Sequence, residues 1–432
     1  MRVAFYTLGC KVNQFESWAM GEQFESQGCQ IVDWREEADI YVVNTCAVTS
    51  KAAYQSRQIL NRLKRQRPSA KIIATGCHVQ TQPSMIIESV GSGICLAGNE
   101  QKPQIATMSF KYKGCTGIFI TDISLAKEIG RLLISRPPKG RTRAFVKIQD
   151  GCDAFCSYCI VPYARGRSRS LPPRLVFKQV GDLLASGVKE IVLTGIHIGL
   201  YGRDLVPETS LYGLLKDLCM AFPQIRFRLS SIEATEVTDE FILWASDTEN
   251  FCKHFHVPLQ SGSAKVLKDM NRKYSPSDFR DLIFRIKKQM PFCGIGTDVM
   301  TGFPTETETD FYETLNLLER LPISYVHAFP YSPRPGTVAS AMVSRSSRKE
   351  ARERARHLIR LGDQKRGEFC QGLVGTAQEV VIEKKIKKGA FWTGKSSNYM
   401  EVMVKSDQDL ADSVINVHVT EARGGVLVGI PK

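Results

Sequence analysis

No apolar run in this 432-residue chain approaches the ~18 residues that a membrane-spanning helix needs. The opening stretch, MRVAFYTLGCKVNQF, also lacks the apolar segment and cleavage site of a secretory signal. These two absences lead us to expect a cytoplasmic protein with no membrane partner. Acidic residues are the scarce charge: 44 Asp and Glu face 58 Lys and Arg, a net charge of +14. Such a surplus says nothing about fold, but it favours a polyanionic partner, of which RNA and DNA are the usual ones. In a cytosolic compartment thiols stay reduced, which argues against disulfides. The 13 cysteines are then either small buried hydrophobes or ligands.

With 43% apolar and 24% charged residues, the chain has an ordinary folded composition, and its length suggests two to three domains. Up to about residue 130 it alternates short apolar runs (RVAFYTLG, DIYVVNT, KIIATG) with segments of helical length, Gln14 to Gln27 and Lys51 to Arg67. This is the pattern of a parallel-sheet α/β domain, with CTGIFITDI as a closing strand. The stretch RPPKGRTR, Arg136 to Arg143, reads as a linker. A second alternating set follows over 137–371. Its strands are expected at Ala144 to Gln149, Glu190 to Thr194, Arg226 to Ser230, His254 to Leu259, Gly296 to Met300 and Tyr325 to Phe329. Helices fit between them, as at Pro173 to Ser186, Tyr212 to Phe222 and Glu306 to Arg320, giving a partial βα-barrel rather than a complete eight-stranded one. Arg345 to Glu368 is a basic helix with a packing stripe at Ala351, Ala355, Leu358 and Leu361. Residues 372–432 turn to five short strands, a small all-β, OB-like module.

The sharpest local signal is Cys152, Cys156 and Cys159 in GCDAFCSYC, placed directly after the first strand of the second domain. Three thiolates so close along one loop can wrap a 4Fe–4S cluster. No fourth cysteine follows nearby, so one iron is open to an exogenous ligand. The competing reading is zinc, but structural zinc sites usually bring two separated cysteine pairs. A second triplet is dispersed: Cys10, Cys46 and Cys77 each close one strand of the first domain. Parallel strand ends share one edge of a sheet, so these three are expected to converge as a second metal centre. The other seven, Cys29, Cys95, Cys115, Cys219, Cys252, Cys293 and Cys370, show no shared spacing and read as packing residues.

These features resemble the methylthiotransferase family of radical S-adenosylmethionine enzymes over nearly the whole chain. The first region is similar to that family's N-terminal domain, the second to its radical domain and the last to its TRAM domain. The opening TLGCKVNQFES, with NTCAVT, TGCHVQT, IVLTGIHIG, SSIEATEVTDE, HVPLQSGS and FPYSPRPGT, resembles the branch acting on N6-threonylcarbamoyladenosine in tRNA. Thr305 stands where glycine is usual in the family, and His78 where tyrosine is common.

The resemblance implies a tRNA-modifying enzyme that methylthiolates carbon 2 of that nucleoside at position 37, beside the anticodon. It implies two 4Fe–4S clusters and two uses of S-adenosylmethionine, one as methyl donor and one as radical source. A reductant such as flavodoxin or ferredoxin, a sulfur donor and the tRNA anticodon stem-loop are the implied partners. A radical suits the task, because the aromatic C–H is not acidic enough for a side-chain base. Isopentenyladenosine or a ribosomal protein remains open as substrate, as do methyl transfer alone and a non-enzymatic zinc- and RNA-binding protein.

Cofactor contacts are expected at barrel strand ends: Gly195, His197, Ser231, Glu233, Gln260, Asp298 and Gly302. A threonylcarbamoyl substrate brings a carboxylate, which arginine grips well. Arg165 and Arg334, in loops expected at the barrel mouth, are candidates for that clamp or for tRNA phosphates. In the tail, Lys384, Lys385, Lys387 and Lys388 beside Phe391 and Trp392 combine phosphate contacts with stacking surface.

Overall fold

In the computed structural model, residues 1–111, 117–138, 140–386 and 390–432 are described. Cys115, Lys387, Lys388 and the Lys139 of the linker lie outside the described residues.

Strands β1 (Arg2–Thr7), β2 (Gln30–Val32), β3 (Ile40–Thr45), β4 (Lys71–Gly76), β5 (Cys95–Ala97) and β6 (Gly117–Phe119) form one parallel sheet in the order β2-β1-β3-β4-β5-β6. The apolar runs that suggested buried parallel strands are buried: all six residues of β3 are inaccessible, and β4 is open only at its first. Helices α1 (Lys11–Ser26), α2 (Ser50–Gln66) and α3 (Cys77–Thr81) start just beyond β1, β3 and β4. Gly76 is essential to the last of these turns. Its φ is +98°, and a Cβ there would lie 2.4 Å from the Thr45 carbonyl oxygen.

The partial barrel is present with the six strands expected, beginning with β7 (Arg143–Lys147). A short antiparallel pair, β8 (Gln149–Asp150) and β9 (Arg169–Ser170), flanks the cysteine loop. The later strands are β10 (Glu190–Thr194), β11 (Arg226–Leu229), β12 (His254–His256), β13 (Gly294–Thr301) and β14 (Tyr325–Pro330). They pair in parallel as β7-β10-β11 and β12-β13-β14, and the isolated bridges Phe227 to Phe251 and Ser231 to His256 join the two halves. The basic helix runs from Arg348 to Gln371, capped by Ser347 and Glu350, and buries Ala351, Ala355 and Leu358. The tail is a closed barrel of β15 (Ala377–Lys385), β16 (Phe391–Ser396), β17 (Glu401–Lys405), β18 (Val414–Arg423) and β19 (Val426–Pro431).

Two buried ionic clusters fasten these parts. Between the sheet domain and the partial barrel, Glu16 of α1 receives Lys102, Lys147 at 2.9 Å and Arg165 at 2.9 Å, while Lys147 and Arg165 also reach Asp150. Trp18 of α1 stacks on Phe145 of β7, with centroids 4.9 Å apart. Between the partial barrel and the small barrel, Glu190 grips Arg226 and Arg228. Those two arginines donate onward to the backbone carbonyls of Glu379, Lys395, Ser396 and Ser397.

Burial pushes the Glu16 carboxyl up, but Arg165, Lys102 and Lys147 outweigh it and hold the pKa well below its ordinary value. Lys102 touches Glu16 alone, and burial leaves it below its usual value; Lys147 and Arg165, which share Asp150 as well, are held above theirs. A depressed carboxylate contributes stability that is complete above the unfolded pKa of ~4.3 and lost as pH falls toward the folded one. Glu16→Ala strands the buried Lys102 and leaves Lys147 and Arg165 with Asp150 alone; it should cost ~3–5 kcal/mol, read as a lowered denaturation midpoint at pH 7. The gap between wild type and variant should shrink on acidification below pH ~4; an unchanged midpoint at neutral pH would show that the cluster contributes nothing.

Candidate active site

Both cysteine triplets converge, and they lie next to each other. Cys46 follows β3 directly, Cys77 opens α3, and Cys10 precedes α1; β1, β3 and β4 are neighbours, so the three reach one edge. Burial raises the thiol of Cys46 to about 12 and that of Cys10 above its usual value, and Cys77 raises both further by proximity. Cys10 is nevertheless exposed by surface area. Metal binding would draw the protons from such thiols, since thiolate is the ligand form.

The second triplet sits in the loop after β8. Backbone N–H of Cys159 donates to the Cys156 carbonyl at 2.9 Å, and burial lifts the Cys159 thiol to about 12. Three donors point at the sulfurs. Arg272 Nη1 lies 3.4 Å from Cys156 Sγ, the Ala154 N–H 3.5 Å from Cys152 Sγ, and His197 Nδ1 3.5 Å from the same sulfur. Hydrogen bonds of this kind are what tune iron–sulfur centres, so these residues fit a thiolate-bound cluster. Cys77 packs with Ile160 and Ala164, and Ile160 follows Cys159 in the chain. Helix α3 of one triplet therefore lies against helix Val161–Arg165 of the other.

A cavity of about 460 Å³ adjoins the loop triplet, lined by Cys156, His197, Glu233, Glu236, Asn271 and Arg272 among others. Its polar groups are interlocked. Glu236 accepts from His197 Nε2 at 2.6 Å, and Glu233 pairs with Arg272. Burial alone would discharge His197, but its bonds to Cys152 and Glu236 prevail and raise its pKa to about 10. Gln149 Oε1 accepts the N–H groups of Ile196 and His197 at 2.9 and 2.8 Å, which fixes the turn after Gly195.

Two family descriptions match the chain: "Uncharacterized protein family UPF0004" over residues 2–97 and "Radical SAM superfamily" over residues 146–318. The threonylcarbamoyladenosine tRNA methylthiotransferase MtaB of Bacillus subtilis (strain 168) is 37% identical over 425 residues, 97% of this chain and 94% of that protein. The tRNA-2-methylthio-N(6)-dimethylallyladenosine synthase of Christiangramia forsetii is 31% identical over 444 residues, 98% of this chain and 92% of its own. The chain belongs to the radical S-adenosylmethionine tRNA methylthiotransferase family. Among solved structures, the radical S-adenosylmethionine methyltransferase TsrM of Kitasatospora setae superposes with a TM-score of 0.59 at 14% identity, covering 89% of this chain and 79% of that one. That likeness is one of fold.

Within this family member, the sequence-expected residues divide. His197 and Glu233 line the cavity, Gly195 leads into it, and Ser231 is exposed on the bridge between the two half-sheets. Gln260, at φ +65°, keeps a buried Oε1 with no partner. Asp298 stands in mid-strand, held well below its usual pKa: burial acts to raise it, but His256 at 3.0 Å and His327 at 3.4 Å prevail. Gly302 is not at the cavity. Its φ is +68°, a Cβ would lie 2.4 Å from that of Ala351, and its N–H caps Glu306, so its smallness serves helix packing.

Three further expectations are corrected. Arg165 is 1% exposed and spent on Glu16, Asp150 and Asn13, so it does not reach the barrel mouth. Arg334 is 4% exposed and bonds Ser50 and Gln82. Trp392 is a core residue of the small barrel, with its indole N–H on the Gln408 carbonyl, and offers no stacking face. Lys384 and Lys385 are exposed. Cys29, Cys95, Cys219, Cys252, Cys293 and Cys370 are buried as packing residues. Thr305, where the family has glycine, bonds Asp269 at 2.5 Å. Arg272, Glu236 and Gln149 escaped the sequence reading; each acts on a loop distant in sequence, and only the E-A-T-E spacing of Glu233 and Glu236 hinted at a cap.

Outer partners of a metal ligand typically matter ~10–100-fold in metal affinity. Glu236→Ala, which frees His197, should lower iron retention by the loop triplet by about that factor, read as the chelator concentration that strips half the iron. Unaltered retention would mean that His197 does not support the centre.

Proposed function

We propose that this protein methylthiolates carbon 2 of N6-threonylcarbamoyladenosine in tRNA, using one 4Fe–4S cluster at Cys152, Cys156 and Cys159 and a second at Cys10, Cys46 and Cys77. The observation that carries the reading is the contact between the two triplets through Cys77 and Ile160, with a substrate-sized cavity beside the first. When bound, the clusters and S-adenosylmethionine supply a carbon-centred radical at one triplet and a methylated sulfur at the other.

The chain's own residues orient and shield. Gln149 sets the His197 turn; Arg272 and Glu233 wall the S-adenosylmethionine cavity; Cys77 packs with Ala47 against Ile160 and Ala164. With Arg165 and Arg334 occupied, Lys11 takes the role of carboxylate clamp. It follows Cys10, and its ammonium lies 5.9 Å from the Tyr399 ring centroid. Burial first, then Arg228 and Arg143, lower its pKa to about 8, while Glu190 and Asp298 act the other way. Such a cation, partly desolvated and beside Arg228 and Arg143, gains from an incoming carboxylate. The relatives named for threonylcarbamoyladenosine, at 33–37% identity, against 31–33% for those named for dimethylallyladenosine, support the same choice.

Incubating the anaerobically reconstituted enzyme with S-adenosylmethionine, reductant and tRNA of each kind tests this by nucleoside mass spectrometry. Methylthio product should appear on threonylcarbamoyladenosine and not on isopentenyladenosine; the reverse pattern would overturn the assignment. Lys11→Met should lower kcat/KM at least ~10-fold, as a charge-assisted hydrogen bond contributes ~1.5–3 kcal/mol, with iron content unchanged.

For RNA binding by the small barrel, deletion of the tail is a poor test because it would leave Arg226 and Arg228 without their carbonyls. Lys384→Ala with Lys385→Ala is cleaner. Each lysine on a phosphate should reduce the slope of log affinity against log salt by ~0.7–0.9, and a slope equal to wild type would place the tRNA elsewhere.

A further inference from the structure

Arg334 is a buried arginine whose hydrogen-bond partners are both neutral. It stands in the loop after β14 and gives Nη2–H to Gln82 Oε1 at 3.0 Å and Nη1–H to Ser50 Oγ at 3.4 Å, while its Nε has no partner. The loop is pinned to the start of α2: Ser50 N–H donates to Ser332 Oγ at 2.9 Å, and Ser50 Oγ donates to the Pro333 carbonyl. The guanidinium therefore cannot swing out to solvent without breaking that junction. A second cation, Arg57 of α2, is nearby and rests on the ring nitrogen of His78 at 3.2 Å.

A buried charge without a counter-ion is costly, and native proteins seldom keep one. At 4% exposure Arg334 presents little surface to a tRNA phosphate or a substrate carboxylate. Both of its partners belong to segments that follow the strand-end cysteines: Ser50 opens α2 four residues after Cys46, and Gln82 closes the short helix that Cys77 opens. Among the described residues, burial and Arg57 oppose the charge of Arg334 and Cys46 favours it. Cys46 can do so only as thiolate, the form it takes on binding metal.

We propose that Arg334 is the counter-charge of the metal centre held by Cys46 with Cys10 and Cys77. Its guanidinium offsets the negative charge of the thiolate-bound cluster, and more so in the reduced state, which raises that cluster's reduction potential. Arg334 is thus a positioning residue acting through the cluster, not a contact to substrate. The inference rests on the reading that these three cysteines hold an iron–sulfur cluster.

The test uses the full chain with Cys152, Cys156 and Cys159 replaced by Ala, reconstituted anaerobically so that only this centre remains. Iron content and an EPR-monitored redox titration are compared for Arg334, Arg334→Gln and Arg334→Lys. We expect about four irons per chain, a midpoint shifted negative in Arg334→Gln, and one near the parent value in Arg334→Lys. Loss of iron in Arg334→Gln with retention in Arg334→Lys would equally support the role of charge. An unchanged midpoint in iron-loaded Arg334→Gln overturns the inference, and so does equal iron loss in both variants, which would make shape rather than charge decisive. No iron in the parent protein is a different result: it refutes the cluster reading itself and takes this inference with it.

Discussion

Glu16 is the residue on which the arrangement of the site depends. It lies one and a half turns along α1 from Cys10, and it is buried against Lys102, Lys147 and Arg165. Lys147 ends β7, Asp150 precedes the Cys152 loop, and Arg165 follows it. One carboxylate thus fastens the helix that begins at one triplet to the strand and helix that bracket the other. An ionic cluster is seldom the most stabilising way to fill an interior, because desolvation offsets much of the attraction. Its advantage here is directional. Charged hydrogen bonds between fixed donors and acceptors hold the two cysteine triplets in one register, where apolar packing would tolerate slip.

The same logic appears at the other end of the barrel. Glu190, fully buried, gathers Arg226 and Arg228, and those arginines reach the backbone of the small barrel. Arg228 also lies over Tyr399 at 5.1 Å, the ring that Lys11 approaches from the sheet domain. The three parts of the chain therefore meet around one set of cations. This places positive charge inside the molecule as well as on its surface. The small barrel serves as a structural wall in addition to any role in gripping RNA.

Much of this was legible in the sequence because its signals are local. Three cysteines at the ends of consecutive apolar strands must share an edge once the strands are parallel and adjacent, and β1, β3 and β4 are. The C-x3-C-x2-C loop after a barrel strand needs no tertiary information, and neither do six strand-and-helix units or five closing strands. The arginines were not legible. Arg165 and Arg334 occur in stretches rich in Gly, Pro and Ser that suggest surface loops, yet both are interior, held by Glu16 and Ser50 from far off in sequence. Trp392 misled in the same way: beside a lysine run it suggests stacking, but alternation along β16 turns it into the core. Gly302 marked a close approach correctly, though to Ala351 rather than to a cofactor.

The central claim is that each triplet holds its own cluster. The most direct measurement is iron and acid-labile sulfide per chain in anaerobically reconstituted protein, wild type beside a variant with Cys10, Cys46 and Cys77 all replaced by Ala. The account predicts about eight irons falling to about four, with the remaining four still bound by the loop triplet. About four irons in both proteins would contradict it, since the strand-end cysteines would then hold no cluster and sulfur insertion would have no site in this chain.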